Sequence, residues 1–66
     1  MKNSIKVERA KKDITQGDLA EIIGVSRQTI NSIEKGRFVP STLLALKMAR
    51  FFGCSVENFF QLEEED

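Results

Sequence analysis

Glycine and serine divide this chain into short segments. Three glycines are each followed within five residues by a serine, which gives the pairs Gly24 and Ser26, Gly36 and Ser41, and Gly53 and Ser55. Glycine favours the left-handed conformation that ends a helix, and serine is a preferred N-cap. No run alternates apolar and polar residues for long enough to suggest a strand. The pattern therefore predicts an all-α protein.

Cap signals and apolar spacing together predict five helices, over residues 4–12, 16–23, 27–35, 42–52 and 56–61. The first is capped by Asn3 or Ser4, and Thr15 with Asp18 fits a capping box for the second. At helical periodicity, the apolar side chains of the second and fourth helices are expected to face the core: Leu19, Ile22, Ile23, Leu43, Leu44, Leu46, Met48, Ala49 and Phe52.

Composition limits the function of so short a chain. A length of 66 residues allows one small domain and excludes a multi-domain enzyme. One cysteine, Cys54, cannot close an internal disulfide, and without histidine there is no plausible zinc set. Because no nucleophile has an obvious base and no glycine loop could bind phosphate, we predict no catalysis, metal or cofactor. We expect Cys54 to be a small buried side chain.

The sequence gives no sign of a membrane segment or a secretory signal. Its longest apolar run, Leu43 to Leu46, is far too short to span a bilayer, and its start lacks a signal's apolar stretch. We therefore expect a cytoplasmic protein.

A net charge of zero hides an uneven distribution. Residues 1–50 carry all ten basic residues and five acidic ones, which leaves +5, whereas residues 51–66 carry five acidic residues and no basic one. We expect a basic body and an acidic end. Residues 63–66 are predicted to form an acidic tail, which either solubilises a frayed terminus or keeps that end away from DNA by repulsion.

The stretch from Gln16 to Gly36 places two helices on either side of a minimal turn. Such a turn sets helix 27–35 steeply across helix 16–23, and Ala20 supplies the small residue that a close crossing needs. The inner side of helix 27–35 carries Ile30 and Ile33. Its other side collects polar residues that suit base edges in a DNA major groove, namely Arg27, Gln28, Asn31, Ser32 and Lys35.

Several short motifs fall at spacings typical of one family. They are Thr15-Gln16, Leu19-Ala20-Glu21, Gly24-Val25-Ser26, Ile30, Ile33-Glu34, Gly36, Pro40-Ser41-Thr42-Leu43 and Phe52-Gly53-Cys54-Ser55-Val56. With these motifs, residues 5–60 resemble the Cro and lambda-repressor-like helix-turn-helix family of bacterial and phage regulators. The resemblance implies a compact five-helix domain over residues 1–62 that binds double-stranded operator DNA, usually as a homodimer, with residues 27–35 as the recognition helix.

The resemblance also implies roles for single residues. Arg9 and Glu34 resemble a pair that ties the first helix to the recognition helix. The residues implied to contact bases are Arg27, Gln28, Asn31 and Ser32, and those implied to contact phosphates are Gln16, Lys35 and Arg37.

Two positions depart from the family's pattern. Glu8 stands where an apolar residue is common, and Gly17 stands where a good helix former is usual.

Three functions follow, in decreasing order of support. We predict a transcriptional regulator that reads an inverted repeat and represses by blocking polymerase, since the sequence shows no sensor domain. An alternative is a protein-interaction module, such as the antitoxin half of a toxin–antitoxin pair, in which Phe59, Phe60 and the acidic tail bind a basic partner. A third is sequence-independent coating of DNA by the basic residues.

Some aromatic and apolar residues leave two interpretations open. Phe59, Phe60 and Leu62 either pack in the core or form a dimer contact. Phe38 either packs on the fourth helix, which we favour, or lies near the DNA backbone.

Overall fold

Five helices and one very short sheet make up the fold. The computed structural model describes residues 1–66 and contains, in chain order, β1 (Lys2–Asn3), α1 (Ile5–Lys12), α2 (Gln16–Ile23), α3 (Arg27–Glu34), α4 (Thr42–Phe52), α5 (Val56–Phe59) and β2 (Phe60–Gln61). The five-helix architecture is confirmed, and α2 with α3 forms the helix-turn-helix. None of the helices has the length and apolar character needed to cross a membrane.

Side-chain caps hold the first turns of α2 and α3. Thr15 Oγ1 accepts a hydrogen bond from the Asp18 backbone N–H at 3.0 Å, and Asp18 Oδ2 accepts one from the Thr15 N–H at 3.0 Å. This is the predicted capping box. Ser26 Oγ accepts from the Thr29 N–H at 3.1 Å. Since the opening N–H groups of a helix lack partners within the helix, these caps set where each helix begins.

Glycines in the left-handed region fix where the same two helices end. Gly24 has φ 89° and Gly36 has φ 75°, a conformation in which a side chain is strained. The Gly24 N–H donates to the Ala20 carbonyl at 2.8 Å. At the end of α3, the Gly36 N–H donates to the Ile33 carbonyl at 3.0 Å and the Arg37 N–H donates to the Ser32 carbonyl at 2.9 Å, which is a Schellman motif.

The sheet corrects the sequence prediction at both ends of the chain. β1 pairs antiparallel with β2, with Lys2 opposite Gln61 and Asn3 opposite Phe60. The fifth helix therefore ends at Phe59, two residues before its predicted end. Strands of two residues carry no alternating pattern, and their pairing depends on tertiary contacts that bring the chain ends together. For this reason the local sequence did not predict them.

Asn3 links the start of α1 to the end of α3. Its Oδ1 accepts from the Ile5 N–H at 3.3 Å, and its Nδ2 donates to the Ile33 carbonyl at 2.8 Å. Ser4 holds the N-cap position of α1 without a side-chain cap hydrogen bond. Of the two predicted caps, Asn3 is the one whose side chain contributes.

The core consists entirely of apolar side chains, and all five helices and β2 contribute to it. Its members are Ile5, Leu19, Ala20, Ile23, Ile30, Ile33, Met48, Ala49, Phe52, Phe59 and Phe60. Phe59 is fully buried and meets Phe52 edge-on, with ring centroids 5.4 Å apart. Phe60 is only 7% exposed. Of the two interpretations left open by the sequence, core packing applies to Phe59 and Phe60, so neither is available as a dimer contact. Leu62 is exposed.

Three residues expected in the core lie on the surface instead. Ile22 is 51% exposed, Leu43 65% and Leu46 56%. The apolar residues of α4 cover more of its circumference than one small core can bury. Met48 and Ala49 take the inward positions, so the side that carries Leu43 and Leu46 faces solvent.

The acidic tail folds back on the chain start. The Glu63 N–H donates to Asp66 Oδ2 at 2.9 Å, and the Met1 amino group lies 3.1 Å from Asp66 and 3.4 Å from Glu63. The hydrogen bond to Asp66 raises the pKa of this amino group. Glu63 also shares a depression with Lys35 and Gly36 at the end of α3. Two acidic residues of the tail therefore lie against the chain start, and the contrast between a basic body and an acidic end stays a prediction.

We predict that Asp18→Ala removes a pH-dependent part of the stability. The backbone N–H of Thr15, followed by its hydroxyl, lowers the pKa of Asp18 below its ordinary value of 3.8. Its carboxylate therefore stabilises the fold above about pH 4, and this contribution is lost as the pH falls through the folded-state pKa. Urea unfolding should give a difference between wild type and variant that is constant above about pH 5 and shrinks below about pH 4.

The control is Glu64→Ala, which removes an exposed carboxylate outside any helix cap. It should leave the pH profile unchanged. A difference between wild type and Asp18→Ala that does not vary with pH would contradict this role for the capping box.

Candidate nucleic-acid interface

The outward side of α3 carries a row of polar side chains. Burial of the opposite side of the helix keeps this polar row facing solvent. Arg27, Gln28 and Lys35 are exposed, and Asn31 and Ser32 are partly exposed. The inward side of the same helix carries Ile30 and Ile33, which are fully buried. Rotation of α3 would expose these two isoleucines to water, at a cost of about 1.5–3 kcal/mol each.

A bidentate ion pair anchors α1 to α3. Arg9 Nε donates to Glu34 Oε2 at 2.7 Å, and Arg9 Nη2 donates to Glu34 Oε1 at 3.0 Å. Arg9 Nη1 also donates to the Ile14 carbonyl at 3.1 Å. The two charged side chains are only 13% and 8% exposed. The hydrogen bond to Glu34 raises the pKa of Arg9, which keeps the guanidinium charged.

Gln16 connects α2 to the same ion pair and to the polar row. Its Nε2 donates to Glu34 Oε1 and to Asn31 Oδ1, both at 3.2 Å. Because a carboxylate can only accept, this arrangement fixes which end of the Gln16 amide faces α3. The carbonyl oxygen of Asn31 is occupied in turn, and its NH₂ group remains as the donor that α3 offers outward.

All the predicted contact residues except Lys35 line two neighbouring depressions on this side of the molecule. The first is lined by Gln16, Arg27, Gln28 and Asn31. The second is lined by Ser26, Gln28, Thr29, Ser32, Arg37 and Phe38. Gln28 belongs to both, so the two form one continuous surface along α3.

The structure changes what Gln16 can do at this surface. The residue was expected to contact phosphate, but the donors of its side chain are used by Asn31 and Glu34. The backbone N–H groups that open α2 remain the more suitable phosphate donors there. A methyl group added at neighbouring Gly17 would lie 3.7 Å from Thr15 Oγ1, an ordinary contact, so packing does not require this glycine.

The sequence analysis missed Lys6 as a candidate contact. Lys6 is exposed and lines a depression with Gln16, Asn31 and Lys35. The spacing of basic residues along α1 could have indicated this position. Lys6 precedes Arg9 by three residues, so the two share one side of α1, and the pairing of Arg9 with Glu34 turns that side toward α3.

The other residues singled out earlier lie away from this surface or at its edge. Glu8, where the family commonly has an apolar residue, accepts a hydrogen bond from Lys11 Nζ at 3.0 Å on the outside of α1. Cys54 is partly buried against the core. Phe38 is outside the core and 49% exposed. No group of three or more cysteine and acidic side chains is placed to hold a metal ion.

The short helices α2 and α3 cross at a glycine turn, and α3 has a buried inner face and a polar outer face. This arrangement defines a helix-turn-helix domain. A family model described as helix-turn-helix matches residues 5–59. The chain belongs to the Cro and lambda-repressor-like helix-turn-helix family of transcriptional regulators, whose members are typically not enzymes.

Relatives at full length carry the same description. An uncharacterised HTH-type transcriptional regulator of Methanocaldococcus jannaschii is 52% identical over 66 residues, and one of Bacillus subtilis is 50% identical, each covering 100% of both chains. A phage relative, the ImmF control region 10 kDa protein of Bacillus phage phi105, is 38% identical over 45 residues, which cover 68% of this chain and 50% of the phage protein.

Removing one member of the ion pair should destabilise the fold far more than removing both. Arg9→Met leaves the buried Glu34 carboxylate unpaired, and we expect a loss of about 3–5 kcal/mol in the free energy of unfolding. The double variant Arg9→Met/Glu34→Met leaves no unpaired charge and should recover most of that loss. Urea unfolding of wild type, Arg9→Met, Glu34→Met and the double variant completes a double-mutant cycle.

Lys11→Met is the control, because the Lys11 side chain is 66% exposed and reaches Glu8, which is 17% exposed, through a single hydrogen bond rather than a bidentate pair. It should change the stability by less than about 1 kcal/mol. If Arg9→Met proved equally mild, the ion pair would not hold α1 to α3.

Proposed function

We propose that this protein is a sequence-specific transcriptional regulator that inserts α3 into the major groove of its operator. The observation that carries the proposal is the contrast within α3, where fully buried Ile30 and Ile33 lie opposite a polar row held in place through Gln16. An α-helix fits the major groove, and this row offers the donors and acceptors by which base pairs are distinguished there.

Every member of the row except Lys35 suits a particular kind of base contact. Arg27 can donate two hydrogen bonds to guanine, and Gln28 can pair with the N6 and N7 positions of adenine. Asn31 offers its NH₂ group, which suits base acceptors, because Gln16 already occupies its oxygen. Ser32 is short, so a base would be read there through water.

Phosphate contacts would frame this row on both sides. Lys35 and Arg37 are exposed at and beyond the C-terminal end of α3, and Lys6 is exposed across the depression on the α1 side. At the other end, the N–H groups that open α2 attract an anion. Contacts of this kind set affinity and register, whereas the row itself sets sequence preference.

We further propose that two copies bind an inverted repeat. Recognition helices of such dimers are about 34 Å apart, one turn of B-DNA. One protomer measures 31 × 23 × 21 Å between its outermost Cα atoms, so two protomers at that spacing would lie within side-chain reach of each other. The dimer surface predicted from Phe59 and Phe60 is not available, since both lie in the core.

The exposed side of α4 is the better candidate for contact between the copies. Leu43 and Leu46 are one helical turn apart and exposed, and Val39 is 60% exposed just before α4 begins. The segment from Arg37 to Ser41 connects this side directly to the end of α3. A second copy on the adjacent half-site would cover these side chains.

A regulator of this kind would act as a repressor. A pair of protomers, each about as long as one turn of B-DNA, would cover its operator and exclude polymerase from an overlapping promoter. The antitoxin-like alternative keeps only the acidic tail of the surface on which it was based, because Phe59 and Phe60 are buried.

Selection of duplexes from a randomised pool at near-physiological salt tests sequence-specific binding. We expect enrichment of an inverted repeat. In binding measurements, Gln28→Ala should weaken binding to the enriched site by about 1–3 kcal/mol and leave non-specific binding unchanged. Lys35→Ala should weaken binding to all duplexes alike and reduce the salt slope by about one. Equal recovery of all sequences would favour DNA coating, and no recovery would contradict DNA binding.

The surface of α4 is tested by comparing whole operators with single half-sites. Leu46→Glu should lower affinity for the two-half-site duplex on the order of tenfold and leave single half-site affinity unchanged, because only contact between the copies is lost. Ile22→Glu, which alters an exposed apolar residue of α2, is the control. Equal losses on both duplexes would place the effect in DNA contact or folding instead.

A further inference from the structure

Phe38 is a half-exposed aromatic ring among polar residues. The depression that it lines with α3 is otherwise formed by Ser26, Gln28, Thr29, Ser32 and Arg37. The ring is 49% exposed and takes no part in the hydrophobic core. An exposed aromatic side chain loses favourable burial unless a ligand covers it, so its position calls for a partner with an apolar surface.

The shape of the depression has a simple origin. Ser32 and Thr29 are short, and Thr29 is drawn toward the start of α3 because its hydroxyl lies 2.8 Å from Ser26 Oγ. Gln28 and Phe38 both line the space left above them. A group entering it meets a hydrogen-bonding amide and an aromatic ring together.

The major groove offers one apolar group of fitting size, the C5 methyl of thymine. The other base edges in that groove present hydrogen-bond donors and acceptors, and phenylalanine is among the side chains that contact this methyl. Arg37, which lines the same depression, is available for the adjoining phosphate.

We propose that Phe38 contacts the C5 methyl of a thymine in each half-site and so adds a specificity position beyond the polar row of α3. The inference rests on the proposed function, because it requires α3 to lie in the major groove. The thymine lies toward the end of α3 that carries Ser32, with Arg27 reading the other end. Phe38 adds an apolar contact where Ser32 is too short for direct hydrogen bonding.

The test removes the methyl group from DNA and the ring from the protein separately. The probe is the duplex enriched in the selection experiment, with each thymine of a half-site replaced in turn by deoxyuridine. At one position per half-site, replacement should lower wild-type affinity by about fourfold, the effect of one buried methyl group. Because both copies lose the ring, Phe38→Ala should lower affinity for the parent duplex by about fourfold at each half-site and show no further loss on that deoxyuridine duplex.

Two variants serve as controls. Val7→Ala removes an exposed apolar side chain of α1 that does not line the depression, and it should keep the full sensitivity to deoxyuridine. Phe38→Leu keeps an apolar side chain and should retain part of that sensitivity. Thermal unfolding of each free protein should match wild type, because both positions lie outside the core.

The outcomes separate this inference from the function on which it rests. If no sequence is enriched, the proposed function fails and the inference fails with it. A second outcome is that a sequence is enriched while every deoxyuridine replacement weakens binding of Phe38→Ala as much as it weakens binding of wild type. In that case specific binding stands and the thymine contact is wrong. An equal loss of affinity for every duplex in Phe38→Ala would assign the ring to the sugar-phosphate backbone and would also overturn the inference.

Discussion

The ion pair between Arg9 and Glu34 is the contact on which the proposed DNA-binding surface depends. It joins α1 to the last turn of α3, and Glu34 also accepts from Gln16, so three helices meet at one carboxylate. A charge that is 8% exposed is costly to bury, and the bidentate partner offsets that cost. The ion pair thereby fixes the position of α3, while the hydrophobic core fixes its rotation.

The same set of contacts prepares the polar row for its function. Gln16 occupies the oxygen of Asn31 and leaves its NH₂ group outward, so the donor pattern of α3 is set before DNA arrives. Preorganisation of this kind reduces the loss of side-chain freedom on binding. The Schellman motif at Gly36 ends α3 abruptly and turns the chain so that Arg37 and Phe38 line the surface beside Ser32.

Local signals predicted much of this fold, and contacts between distant segments explain what the sequence did not predict. Thr15 and Asp18 cap α2, and Gly24 and Gly36 end helices, because a few adjacent residues decide these features. The pairing of β1 with β2 and the exposure of Leu43 depend on how elements pack together, which periodicity does not encode. The side-chain bond from Gln16 to Asn31 likewise exists only once α2 and α3 have crossed.

The most direct test of the account is nuclear magnetic resonance of the ¹⁵N-labelled protein with the duplex that selection enriches. Side-chain amide signals report on Gln28 and Asn31 individually, and intermolecular Overhauser effects report which protons lie within about 5 Å of a base. We expect such effects between α3 and major-groove base protons, with the largest shift changes from Arg27 to Arg37. Changes confined to α5 and the acidic tail, with α3 unaffected, would contradict it.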